Sequence, residues 1–327
     1  MVIISSLLVL ANLSSREPVV GVLTYPSHEA ALCTGSDAVC NAAKAAAREA
    51  PEGSYVDSSY KNWLEAAGAR VVPIRYDLDA SAVRALYSKV NAILFTGGPA
   101  KPLSAPAPYF ATASLLYDLV VAEAAAGAGT VPLWGTCLGL QTLSCIANGG
   151  VDVLGDFPLE NYAYPLDFTA AAATSKLFGG LSERDRADFA QHNVTTNWHH
   201  FGIAPSSLEQ TDLVPLATNV ALNGETFVSA LEGRGALPVF AVQFHPESVQ
   251  WQAASGGVPA KSAEALRTVE YLGRAFVERA RNNTHAFGSD DELAAALFER
   301  QGKFTPSDAS SLYPSDGVYV FESRAAP

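Results

Sequence analysis

Short apolar runs alternate with amphipathic helical stretches through the first half of the chain, and this alternation constrains the fold more than any other feature. Val19–Leu23, Val71–Ile74, Ala92–Phe95 and Val131–Trp134 each read as a buried strand. Their unbroken apolar character is what strands covered on both faces require. Helices are expected between them, from Ser54, over 80–89, over 110–126 and over 140–147. In the first of these, Ser54 reads as an N-cap with Asp57 three residues later, Val56, Tyr60, Trp63, Leu64 and Ala67 share one face, and Gly68 ends the helix. Such alternation implies an α/β fold built on an open, mostly parallel sheet with helices on both faces. The second half is less regular. Residues 28–53 read as a loop and 149–188 as irregular, followed by strand candidates at Leu213–Ala217, Phe227–Leu231 and Val239–Val242. A long helix then places Leu266, Val269, Leu272 and Phe276 on one stripe, which offers a face for pairing with a second copy. No repeat or linker divides the chain. One domain over 17–327 is expected, with a less ordered tail from about 305 that carries a late strand at Gly317–Phe321.

Composition removes several function classes. Hydrophobic residues make up 49% and charged residues 17%, so the chain can bury a full core. Lys and Arg number 21 against 33 Asp and Glu, a net charge of −12. A nucleic-acid partner would need a basic face to displace counterions, so none is expected. No apolar run reaches the roughly 18 residues of a membrane span. The four cysteines, Cys33, Cys40, Cys137 and Cys145, are too few for a disulfide scaffold, and the six histidines show no metal-ligand spacing. Neither a metal nor a cofactor is expected.

The N-terminus adds a compartment signal. Residues 1–16 are short, apolar and followed by polar residues, which suits a signal peptide better than a spanning helix; a buried first strand is the alternative. Sequons at Asn12, Asn193 and Asn282 agree with a secretory route. Cys33 and Cys40, seven apart, can close a small disulfide there or stay as two free thiols.

The chemistry concentrates where strands end. Gly135-Thr-Cys137-Leu-Gly139 follows a strand and opens a helix, with small residues on either side of a thiol. That is the geometry of a nucleophile elbow, and the helix N-terminus favours a thiolate. The amide of Leu138 can then serve an oxyanion. Gln243-Phe-His245-Pro-Glu247 also closes a strand, and in a doubly wound sheet such ends meet at one edge. His245 can take or give a proton beside Cys137, and Glu247 can hold its tautomer. Thr96-Gly97-Gly98-Pro99 closes a third strand, and the amides of Gly97 and Gly98 can complete an oxyanion hole.

These three segments resemble the class I glutamine amidotransferase-like superfamily, whose sheet is flavodoxin-like. Residues 54–78, Asn197-Trp-His-His200 and residues 265–283 are similar to one branch of it, the γ-glutamyl hydrolases. The resemblance implies a thiol hydrolase that cleaves folylpoly-γ-glutamates through a γ-glutamyl thioester, in lysosomes, vacuoles or outside cells. It implies Cys137 as nucleophile, His245 as general base and Glu247 as third member. It also places His199, with His200 as the adjacent alternative, at a histidine that holds substrate, and puts Tyr55 and Tyr60 on the substrate side. From the residues alone, the histidine pair reads as strand or loop surface and both tyrosines as core aromatics of the first helix, Tyr60 more clearly because it lies on the apolar stripe. Two other functions compete: a glutaminase module feeding a synthase, for which no synthase portion is seen, and a catalytically silent binding protein, against which Cys137, His245 and Glu247 together argue.

Overall fold

The computed structural model describes residues 17–32, 38–99, 102–103, 107–127, 130–254, 257–306 and 317–323. The leader at 1–16, Cys33 and most of the expected tail lie outside the described residues; Cys40 is disulfide-bonded. In chain order the strands are β1 (Val19–Leu23), β2 (Tyr25–Pro26), β3 (Ser54–Asp57), β4 (Arg70–Ile74), β5 (Ala92–Phe95), β6 (Leu133–Thr136) and β7 (Leu154–Tyr164). They continue with β8 (Asp167–Phe168), β9 (Thr195–Ile203), β10 (Leu213–Val220), β11 (Thr226–Gly233), β12 (Val239–Val242), β13 (Lys303–Pro306) and β14 (Gly317–Phe321).

Eight strands form the central sheet, in the order β4-β1-β5-β6-β12-β11-β10-β8. The pairings from β4 through β12 are all parallel, and those of β11 with β12 and β10, and of β10 with β8, are antiparallel. This is the mostly parallel α/β sheet that the alternating pattern implies. Strand β1 shows how both faces are covered: Val19 and Leu23 enter one core cluster, and Val20 and Val22 enter the other. Successive side chains point to opposite faces, so a strand buried on both has no polar position to spare. The second cluster is anchored by the helix Ala263–Ala280, capped by Ser262, whose Oγ accepts from the Ala265 amide at 3.1 Å. Phe276 of that helix is fully buried and packs on Trp134, a burial that contributes about 1.5–3 kcal/mol. The Trp63 indole completes the contact by donating to the Val269 carbonyl at 3.0 Å.

Parallel order has one consequence for chemistry. Strands β1, β5, β6 and β12 all end at the same edge, so the segments after Phe95, Thr136 and Val242 gather there. Such an edge is where open α/β sheets form their sites.

Three local expectations are corrected. Ser54–Asp57 is a strand, and the helix runs Ser58–Ala66 with Asp57 as its N-cap, accepting from the Ser59 amide at 2.9 Å. The reason is non-local: β3 pairs with β2 on one side and with β14, more than 250 residues later, on the other. Residues within 28–53 include a helix at Ala38–Glu49, and the irregular stretch holds the eleven-residue β7, paired with β9 in a separate ribbon. The strand at Gly317–Phe321 is present, and it is structural: Val318, Val320 and Phe321 are buried, in a four-stranded sheet ordered β13-β14-β3-β2. Within the helix Ala107–Ala126, the stretch Pro108–Ala126 is long and apolar enough, by length and composition, to cross a membrane. In this fold it sends Tyr109, Ala113, Leu116 and Val120 into the core.

Candidate active site

The turn after β6 carries the thiol in a strained backbone. Cys137 adopts φ 52° and ψ −105°, a positive-φ conformation that non-glycine residues rarely hold. Such strain persists only where the surroundings impose it. Here the Cys137 amide donates to the Val242 carbonyl at 2.8 Å, which ties the turn to the end of β12. Gly139 allows the following helix, Leu138–Ala147, to press against β5: a Cβ there would overlap the Phe95 carbonyl. Leu138 is the first residue of this helix, so its N–H has no carbonyl one turn back.

The histidine segment leaves β12 and is pinned from three directions. The His245 amide donates to the Thr196 carbonyl at 2.8 Å, and the Ser248 hydroxyl donates to the His245 carbonyl at 2.8 Å. The Trp198 ring lies 5.2 Å from the imidazole, centroid to centroid. Glu247 Oε1 sits 2.7 Å from His245 Nδ1, with both side chains buried. The pairing commits Nδ1 to the carboxylate and leaves Nε2 without a hydrogen-bond partner among the described residues, with Cys137 near enough to act on the ring by its charge. Burial opposes a charged imidazole, but the negative charges of Glu247 and Cys137 outweigh it and raise His245 to about 10.

That shift predicts a pH dependence of folding. The ordinary value is 6.5, so the folded state holds this proton more tightly than the unfolded chain. The stabilisation is complete below pH 6.5 and is lost as pH rises through about 10. The unfolding free energy of the native chain minus that of His245→Ala should therefore fall steadily from about pH 6 to about pH 10. A flat or rising difference in denaturant titrations would contradict the charged pair.

The Gly97 expectation needs correction. The Gly97 N–H donates to the Tyr60 hydroxyl at 2.7 Å, so this amide is already engaged. Gly98 and Leu138 remain, and they pack closely: a Cβ on Gly98 would lie 2.6 Å from Leu138 Cδ2. Tyr60 is the core aromatic that its helical stripe implies and also a site residue. Burial, then the charge of Glu247, hold its phenol well above the ordinary range, so it stays protonated.

A small cavity of about 20 Å3 lies beside the imidazole, lined in part by Tyr55, Asp57, Tyr60, Trp198, Glu247 and Gln252. Both expected tyrosines reach it. His199 is not among the lining residues. Strand alternation turns Trp198 onto His245 and His199 the other way, where it meets the Phe227 ring at 4.9 Å. Burial, and then the charge on His245, push His199 down to about 3, so it is neutral. His200 is exposed and sits 2.7 Å from Asp156 and 2.9 Å from Glu160. Gln141 donates to the Phe201 carbonyl at 2.7 Å, a structural tie between its helix and β9. Asn193 and Asn282 are both exposed. Sequence reasoning missed Trp198, Gln252 and Asp57 as cavity residues. The alternation of β9 could have exposed Trp198; the other two had no local signal.

A family model described as glutamine amidotransferase class-I matches residues 53–255. Gamma-glutamyl hydrolase B of Dictyostelium discoideum is 29% identical over 317 residues, covering 95% of this chain and 85% of that protein. Gamma-glutamyl hydrolase of Homo sapiens is 30% identical over 272 residues, covering 82% of this chain and 83% of that protein. A probable gamma-glutamyl hydrolase of Arabidopsis thaliana is 27% identical over 315 residues, covering 93% and 84%. The match takes in the thiol turn, the histidine segment and the ribbon that braces it, and the chain belongs to the class-I glutamine amidotransferase family and, within it, to the γ-glutamyl hydrolases.

Proposed function

We propose that the chain hydrolyses γ-glutamyl amide bonds of folylpoly-γ-glutamates through a γ-glutamyl thioester on Cys137. One observation carries the reading: a thiol held at positive φ on a helix N-terminus, beside an imidazole whose other nitrogen is bound to a buried carboxylate. The Cys137 thiolate attacks the γ-carbonyl, and the amides of Leu138 and Gly98 receive the negative charge that develops on oxygen. His245 gives its proton to the leaving amine, so the C–N bond breaks as the thioester forms. Water then attacks the thioester, returns a proton to His245 and frees the γ-carboxyl group. Glu247 keeps Nδ1 occupied throughout, which fixes the tautomer. Tyr55 and Tyr60 shape the wall nearest the imidazole. His199 acts from behind Trp198, supporting the strand rather than touching the substrate. Chromatography of pteroylpentaglutamate after incubation with the purified chain tests the reading. Shortened pteroylglutamates and released glutamate or oligoglutamate are expected; unchanged substrate would refute it.

The same reading places the chain on the secretory route, secreted or in a lysosome or vacuole, with Asn193 and Asn282 as glycan acceptors. The sequons and the exposure of both asparagines support it. Expression in a eukaryotic secretory host should yield protein whose mass falls on endoglycosidase treatment. Product retained in the cytosol without glycans would refute the assignment.

A further inference from the structure

The cavity beside His245 brings together polar groups whose hydrogen-bonding capacity the protein does not use. His245 gives Nδ1 to Glu247, while its Nε2 meets no hydrogen-bond partner among the described residues and becomes an acceptor once its proton has left with the amine. Gln252 is 4% exposed, and its Oε1 meets none either. The Tyr60 hydroxyl accepts from the Gly97 amide, which leaves its own proton to give. His245, Gln252 and Tyr60 all line the same cavity. Buried acceptors without a donor are destabilising, so such a site selects an occupant.

The required occupant offers two donors and accepts one proton. Water does this with a single oxygen, and buried waters characteristically make two to four such bonds. An ammonium or metal cation would satisfy the two acceptors but would leave the Tyr60 proton without an acceptor. The place is also chemically apt. A hydrolase needs water beside its general base for the second half of the reaction, and here the polar groups adjoin His245.

We infer that this cavity holds the water that hydrolyses the thioester, and that Gln252 positions it; the inference rests on the thioester reading above. The water oxygen attacks the thioester carbon and a C–O bond forms. One water proton passes to His245, and the other stays on the new carboxyl group. The tetrahedral intermediate then expels Cys137 as thiolate when the C–S bond breaks. His245 keeps the transferred proton, which restores the ion pair. Gln252 touches only the water, so it is a positioning residue. Losing it should slow thioester breakdown and leave thioester formation alone.

Single-turnover reactions with pteroyldi-γ-glutamate, quenched in acid and read by intact mass, follow the Cys137 adduct directly. In Gln252→Met the adduct should form within about twofold of the native rate and decay roughly tenfold more slowly, since a misplaced reactant loses orientation. Hydroxylamine does not need the held water and should clear the adduct equally fast in both proteins. Gln252→Glu keeps an acceptor oxygen and should decay within about threefold of native. Native decay in Gln252→Met, or formation slowed as much as decay, overturns the inference. Should Gln252→Met fail to fold, Gln252→Glu decides, and tenfold slower decay there overturns it. Substrate turnover with no adduct on any protein would instead overturn the thioester reading itself.

Discussion

Cys137→Ser is expected to fold like the native chain and to lose roughly four powers of ten or more in kcat. The loss follows from nucleophilicity. A hydroxyl beside the same imidazole is a far weaker nucleophile than a thiolate, and the elbow is shaped around sulfur. The two backbone amides of the oxyanion site and the His245–Glu247 pair stay in place, so substrate binding should change little. Cys145 is the internal control. It is fully buried inside the following helix, and burial pushes its thiol up to about 11, so it is inert. Cys145→Ser should keep near-native turnover while losing about 1–2 kcal/mol of stability to a buried hydroxyl. Equal activity losses in the two variants would remove Cys137 as the nucleophile.

His245→Ala should cost about three to four powers of ten in kcat, because both the thiolate and the leaving amine depend on its proton. Its effect on melting temperature should be smaller at alkaline than at acid pH, since little of the charged pair survives there and mainly the void of the lost ring remains. His199→Ala should behave differently. That ring is packed against Phe227, opposite Leu159 across the ribbon, and it is not among the residues lining the cavity. Its removal leaves a void behind Trp198, so activity and melting temperature should fall together. Steady-state kinetics and thermal scans on the two variants separate these outcomes. Loss of activity in His199→Ala with an unchanged melting temperature would return His199 to a direct role with substrate.

The candidate site was readable as one cluster because its parts are local. Gly135 to Gly139 and Gln243 to Glu247 each place a functional side chain directly after a strand, and parallel order then brings the strand ends together. What escaped was set by contacts across the sequence. Ser54–Asp57 reads as the capped start of an amphipathic helix, yet pairing with β14 makes it a strand. The Gly97 amide was expected to face substrate, but Tyr60, 37 residues earlier, reaches it with its hydroxyl. His199 and Trp198 are adjacent in the chain, and only the register of β9 against β7 decides which one meets His245. Gln252 carries no motif at all; its interest comes from burial and an unmet acceptor.

The specificity of bond cleavage tests the account most directly. A γ-linked glutamate presents its α-carboxylate beside the scissile carbonyl, whereas an α-linked one carries the carboxylate on its side chain. A site built for the first leaves buried polar groups unpaired with the second, a mismatch that can reach several powers of ten in kcat/KM. Free glutamine lacks the remainder of the chain whose binding energy positions the carbonyl. The decisive measurement is kcat/KM for γ-linked pentaglutamate, its α-linked isomer and free glutamine on the same preparation. The account predicts rapid cleavage of the first and little turnover of the other two; equal rates on glutamine and the γ-linked oligomer would contradict it and identify a glutaminase.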